Sequence, residues 1–360
     1  MYKFAKKIVL LITLALLTIM NLDAQEKNEK WDLLAPIPDS LGFAGSYAGT
    51  LAGGLIYAGG AQFKQGTPPW QGGVKVWTDQ IYFLENLHGT WKPIGNLPRP
   101  LGYGASASYD GKFFLAGGSD AANHYQNTYQ LSLAGDQIQI KELPSLPVAL
   151  ANTAFAQHEN YWYVLGGQIA PLAEQASSRV FRLDLSAPQK GWKELPPFPG
   201  KGRILAVAAA TADSLYIFSG ASLEKRERTY LLDGFCFNGQ SWNKAADLAA
   251  PITAAANPGI ATSENEFVFF SGDDGSLASA DLRDKHPGFS RQVLTYFVSQ
   301  DKWEVTESTP PFLAEKQDGS RLPIQAPVTT TAVLWKENII IPGGEVRPAV
   351  RTNQVLRYKP

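Results

Sequence analysis

Short apolar runs that end in two small residues recur six times along the chain. They are Leu55–Ala58 before Gly59-Gly60, Phe113–Ala116 before Gly117-Gly118 and Trp162–Leu165 before Gly166-Gly167. The other three are Leu215–Phe218 before Ser219-Gly220, Phe267–Phe270 before Ser271-Gly272 and Ile339–Pro342 before Gly343-Gly344. Each run reads as a buried strand stopped by a turn. Most copies lie about 50 residues apart, a period that marks a repeat architecture. The gap from Ser271 to Gly343 is longer and predicts an insertion at 309–325.

A second signal follows each doublet. Trp91, Trp192, Trp242 and Trp303 open strands that run into proline- or alanine-rich turns; Ile140 takes that place in one repeat and Trp31 in another. Between doublet and tryptophan lies a strand with an aromatic residue: Tyr82, Tyr129, Phe181, Phe235, Tyr296 or Tyr358. With an alternating small-residue strand before each apolar run, every repeat reads as four strands. The repeats resemble kelch repeats over nearly the whole chain. The predicted fold is all-β, a six-bladed kelch-type β-propeller spanning residues 25–360. One blade cannot bury both its faces, but a closed ring of blades can. The last doublet is followed by a single strand, Asn353–Tyr358, so its missing fourth strand must be the first of the mature chain, Trp31–Ile37. The termini therefore share one blade and protect the ring from opening.

Composition narrows the function classes. The formal net charge is −1 and no basic run exists beyond the N-terminus, which argues against a nucleic-acid partner. The single cysteine, Cys236, cannot form an intrachain disulfide and is expected as a buried, inert thiol. His88, His124, His158 and His286 lack metal-ligand spacing, so no metal is expected. Lys3, Lys6 and Lys7 precede the apolar run Ile8–Met20, and Ala24 offers a cleavage point. This pattern predicts a signal peptide over residues 1–24 and a periplasmic protein with no stable membrane association after cleavage. Nothing in the sequence sets the oligomeric state.

In a four-stranded blade the loops after second strands and the connections into first strands emerge on one face. The polar residues that fall there are Gln62, Lys64, Asp120, Gln168, Asp273, Glu345, Arg347 and Arg351 after doublets, with Arg99, Arg203 and Gln325 before first strands. Trp70 and Trp77 lie in the long loop of the first repeat. Loops on a rigid scaffold commonly carry function. A carboxylate, arginines and amides beside tryptophans suit an acidic sugar, since arginine grips a carboxylate through two parallel hydrogen bonds.

Two stretches sharpen this reading. Gly344-Glu345-Val346-Arg347-Pro348-Ala349-Val350-Arg351-Thr352 resembles the catalytic blade of the N-acetylneuraminate epimerases, and Gly59-Gly60-Ala61-Gln62-Phe63-Lys64 is similar to a stretch of the same family. In the family's usual order these stretches are close together; here they lie at opposite ends, as in a cyclically permuted branch. The resemblance implies interconversion of the α and β anomers of free sialic acid, with no cofactor. It makes Glu345 the proton acceptor and Arg351 its partner. Arg203, Arg347, Arg99, Lys64 and Gln62 become substrate-binding candidates, with Arg99 displaced by two positions from the family pattern. The rival readings are a non-enzymatic propeller that binds protein or glycan and a sialidase-type hydrolase. Ser271-Gly272-Asp273-Asp274-Gly275 partly resembles an Asp-box of sialidases, but it occurs once, coincides with a doublet and lacks the closing aromatic.

Overall fold

The computed structural model describes residues 30–313 and 323–360. The expected signal peptide lies outside them, as do residues 314–322 of the expected insertion. Among the described residues there are six four-stranded antiparallel sheets, the blades of a propeller. Blade 1 comprises Tyr47–Leu51, Gly54–Ala58, Gln80–Leu84 and Lys92–Asn96. Blades 2 to 5 begin at Ala105, Ala154, Val207 and Ile260 and end at Leu143, Leu195, Ala245 and Ser308. Blade 6 joins Val333–Trp335, Asn338–Pro342 and Val355–Tyr358 to the N-terminal strand Trp31–Leu33. That strand pairs Trp31 with Tyr358 and Leu33 with Leu356, and Asp32 meets the guanidinium of Arg357. It is shorter than the expected Trp31–Ile37, since Pro36 cannot donate to a ladder.

The core lies between blades. Trp91, Trp242 and Trp303 donate their indole N–H to backbone carbonyls at the end of the preceding blade: Ala35 at 2.8 Å, Pro196 at 2.8 Å and Ala246 at 3.1 Å. Trp192 reaches Thr128 Oγ1 of blade 2 at 3.0 Å. Each tryptophan thus packs its ring between blades and stitches two sheets. Cys236 stands half-buried in blade 4 rather than buried as expected.

The doublets are left-handed. Their first residues have φ between 56° and 65° and their second residues between 89° and 123°. Serine tolerates the first value, as Ser219 and Ser271 show, whereas the second is glycine's own. A Cβ at Gly60 would lie 2.1 Å from Ser46 Oγ.

At the axis the six connections into first strands form a collar. Gly45, Tyr103, Asn152, Leu205, Ala254 and Thr329 occupy equivalent positions, and all have φ between 53° and 69°. The amide of each donates to the carbonyl of its counterpart in the preceding blade, at 2.6–2.9 Å, from Gly45 N to Thr329 O round to Thr329 N to Ala254 O. The six bonds close a ring around the channel. A cavity of about 50 Å³ lies at this level. A larger one of about 380 Å³ lies toward the opposite face, lined by inner-strand residues such as Gly49, Ser106, Ala210 and Ala261.

Candidate active site

The residue after each doublet bridges to the residue before each collar position: Ala61 to Ala44, Ser119 to Gly102, Gln168 to Ala151, Ala221 to Ile204, Asp273 to Thr253 and Glu345 to Val328. These six positions form a second ring just outside the collar. Glu345 holds one of them, at the junction of blades 6 and 1. The larger axial cavity contains neither Glu345 nor Arg351. The charged groups lie over the collar, on the other face.

Glu345–Arg347 and Val350–Arg351 form a two-stranded hairpin that stands up from blade 6 and pairs Glu345 with Arg351. Within it, Glu345 Oε1 accepts the Ala349 amide at 2.8 Å and lies 3.0 Å from Arg351 Nη1. Oε2 accepts no hydrogen bond from the described residues. Arg351 is well sheltered, its side chain 4% exposed against 21% for Glu345. Its Nε donates to Ala61 O at 3.3 Å and its guanidinium lies 5.1 Å from the Phe63 ring centre. Contact with Glu345 is one of charge, without hydrogen-bond alignment, so Nη1 keeps an unused donor. The arrangement offers one free carboxylate oxygen and one free guanidinium N–H side by side.

A second hairpin, Ala61–Phe63 with Lys75–Trp77, rises from blade 1 against the first. It carries Gln62, whose amide donates to Asp39 Oδ2 at 3.2 Å, and leads into the exposed Lys64. One residue missing from the sequence reading belongs to this surface. The ammonium of Lys75 lies 4.1 Å from the ring centre of Tyr103, itself a collar residue, and 4.8 Å from that of Trp77. The alternation Lys75-Val76-Trp77 after Gly72-Gly73 was the available signal for a strand there.

The other expected binding residues are dispersed. Arg99, on the connection from blade 1 to blade 2, stacks 4.4 Å from the Tyr125 ring centre. Its contact with Tyr125 holds its pKa above the ordinary value. The Tyr125 hydroxyl donates to Asp120 at 2.5 Å. Burial pushes the Asp120 carboxyl up, but that bond and the Ala122 and Asn123 amides outweigh it and hold the group below its usual range. Arg347 turns outward and donates to the Asp284 carbonyl at 2.8 Å.

Arg203 requires a correction. Expected as a substrate contact, it is 0% exposed. Its guanidinium is 2.9 Å from Asp233 Oδ1 and also donates to the carbonyls of Ser219 and Asp233 at 3.1 and 3.2 Å. Phe198 and Phe235 cover it at 5.3 and 5.4 Å. It lies at the junction of blades 3 and 4, half a ring from Glu345, and its hydrogen-bonding capacity is spent within the protein. Glu345 and Arg351 meet, whereas Arg203 pairs with Asp233 instead.

Comparison with known proteins settles the family. The sequence pattern of the N-acetylneuraminate epimerases matches residues 14–140 and 143–359. The chain belongs to the N-acetylneuraminate epimerase family. The N-acetylneuraminate epimerase of Salmonella enteritidis is 38% identical over 88 residues, 22% of each chain, and the Salmonella typhimurium enzyme matches to the same extent. A kelch domain-containing protein of Vibrio cholerae is 26% identical over 239 residues, 61% of this chain and 64% of that one. The matched segments thus span less than two thirds of these relatives. The solved structure of YjhT superposes with a TM-score of 0.63 at 15% identity, covering 90% of this chain and 96% of that one, a likeness of fold. Among the described residues no cluster of histidine, cysteine or carboxylate side chains could hold a metal, and no helix is long and apolar enough to cross a membrane.

Proposed function

We propose that this protein is a mutarotase that interconverts the α and β anomers of free N-acetylneuraminate. The observation that carries the proposal is the Glu345–Arg351 pair beside the collar, in the blade whose sequence resembles the family's catalytic one. Glu345 Oε2 takes the proton of the anomeric hydroxyl, the bond from the anomeric carbon to the ring oxygen breaks, and that oxygen receives a proton. The hydroxyl formed from the ring oxygen then attacks the other face of the keto carbon and gives up its proton, while the carbonyl oxygen takes one and becomes the anomeric hydroxyl again. No net proton is consumed, so one carboxylate can serve both directions, directly or through a water. Arg351 holds Glu345 in place and uses its spare N–H on the opened sugar. The collar forms a rigid floor beneath the reacting carbon. Export to the periplasm belongs to the same proposal and rests on the leader pattern of residues 1–24.

The test is anomer exchange of free N-acetylneuraminate followed by proton NMR. Wild-type protein should accelerate it, and Glu345→Gln should lower the rate by about 10²–10⁴-fold, the usual worth of a positioned general base. Equal rates with and without wild-type protein would leave the non-enzymatic binding reading in its place.

A further inference from the structure

We propose that Lys75, caged by Trp77 and Tyr103 beside the collar, is the second cationic contact of the site and binds the carboxylate of the acidic sugar. The inference rests on the mutarotase reading for the identity of the ligand, and on the hairpin for its geometry. Phe63 pairs with Lys75 and Ala61 with Trp77 across that hairpin. Side chains two residues apart on a strand, and those directly opposite, share a face. Ala61, Phe63, Lys75 and Trp77 therefore lie on one face of the hairpin. Arg351 packs on Phe63 and bonds Ala61 O. Lys75 is thus one residue pair away from the arginine that holds Glu345.

The surroundings of Lys75 fit anion capture. Lys30, Lys92, Lys112, Lys201, Lys244 and Lys302 each lie within 4.0 Å of a carboxylate. Lys75, like several other lysines, has no such partner among the described residues. Two aromatic faces hold its ammonium instead. Ring faces attract the charge but accept no conventional hydrogen bond, so its N–H groups remain available. Tyr103 is fixed by the collar, donating to Gly45 O at 2.6 Å and accepting from Asn152 N at 2.8 Å. The cage is therefore anchored to the hydrogen-bonded collar. On the same hairpin face as Lys75, Trp77 Nε1 is buried without a partner among the described residues. Such a group is uncommon in a finished core and marks a polar surface open to a ligand.

This placement gives the site two cations of different kind. Arg351 is sheltered and tied to the base. Lys75 is half-buried and free to neutralise a carboxylate, replacing the contact once expected from Arg203.

The test compares wild-type, Lys75→Gln and Lys75→Arg by calorimetric titration and by NMR anomer exchange. The probes are free N-acetylneuraminate and its methyl ester, which lacks the charge. Circular dichroism and thermal melting check the fold. Lys75→Gln should weaken binding of the acid by about 10- to 100-fold, as expected for a charge-assisted hydrogen bond. It should weaken binding of the ester by no more than about threefold, and Lys75→Arg should keep most of the acid's affinity. Unchanged acid affinity in Lys75→Gln, or equal losses for acid and ester, would overturn the assignment. Binding without exchange in the wild type would instead sink the mutarotase reading and leave the Lys75 contact standing.

Discussion

Two tryptophans in equivalent places make opposite demands on their indole nitrogens. Trp303 in blade 5 packs against Phe218, Tyr296 and Phe269 with ring centres 4.8, 5.0 and 5.2 Å away, and its N–H reaches Ala246 O. Trp31 in the closing strand is 2% exposed and packs against Tyr358 at 4.9 Å and Phe270 at 5.9 Å. Its Nε1 is buried with no acceptor among the described residues. Replacement by phenylalanine removes similar ring area at both sites, a loss of about 1 kcal/mol. At Trp303 the change also removes a hydrogen bond and strands a carbonyl, for a total near 2 kcal/mol. At Trp31 it removes an unsatisfied buried donor, and recovering roughly 1 kcal/mol of desolvation cost should offset the lost area. Trp31→Ala, by contrast, empties the seam between blades 5 and 6 and should cost about 3–5 kcal/mol. Urea unfolding followed by far-UV circular dichroism gives each value from the midpoint at constant slope. The reasoning fails if Trp31→Phe destabilises as much as Trp303→Phe, because the two substitutions differ chiefly in the fate of one N–H.

Two further outcomes follow from buried charge and burial of a base. Arg203→Met should cost about 3–5 kcal/mol in the same unfolding assay, as breaking a buried ion pair does, while the folded protein keeps wild-type exchange kinetics; a large rise in KM would restore Arg203 to the site. His124 donates from Nδ1 to Gln168 O at 2.9 Å, which ties blade 2 to blade 3, and burial depresses its pKa from 6.5 against the smaller pull of that carbonyl and Asp120. The unfolded chain therefore binds the proton first: this contribution is complete above pH 6.5 and declines as pH falls through the folded value. Thermal melts between pH 7 and 5 should show a shallower acid decline in His124→Asn than in the wild type, and parallel curves would refute the assignment.

The blades were legible because their constraint is local. A second doublet residue with φ near 100° admits little but glycine, so six copies stand out wherever they fall. The closing strand followed from counting strands after Gly344. The collar was not legible. Its positions hold glycine, tyrosine, asparagine, leucine, alanine and threonine, all left-handed. Their conformation is imposed by backbone bonds between blades, which leave no side-chain signature, and five of them adopt φ values uncommon for non-glycine residues. The site divides in the same way. Glu345 and Arg351 could be singled out from sequence because one short motif that resembles the family's carries both. Arg203 could not be judged, since its fate depends on Asp233, thirty residues on. Lys75 escaped notice because its aromatic cage joins the long loop of blade 1 to the next connection.

Blade 6 carries two demands at once. It is the blade completed by the N-terminal strand, and it bears the Glu345–Arg351 hairpin. The two are bonded through the same backbone: Gly344 N donates to Phe43 O, Thr352 N to Gly344 O, and Ile37 N to Asn353 O. The chain entering from the N-terminal strand thus holds both ends of the loop that presents the acid. On the far side Arg351 leans on blade 1 through Ala61 and Phe63. In the proposed reaction a mobile carboxylate would spoil proton transfer at a chosen oxygen, because misplacement by about 1 Å can cost on the order of 100-fold. Placing the acid at the seam where the ring is sealed gives it support from both termini and from the neighbouring blade. Closure of the fold and placement of Glu345 are therefore one structural problem, and in this chain the same few hydrogen bonds answer both.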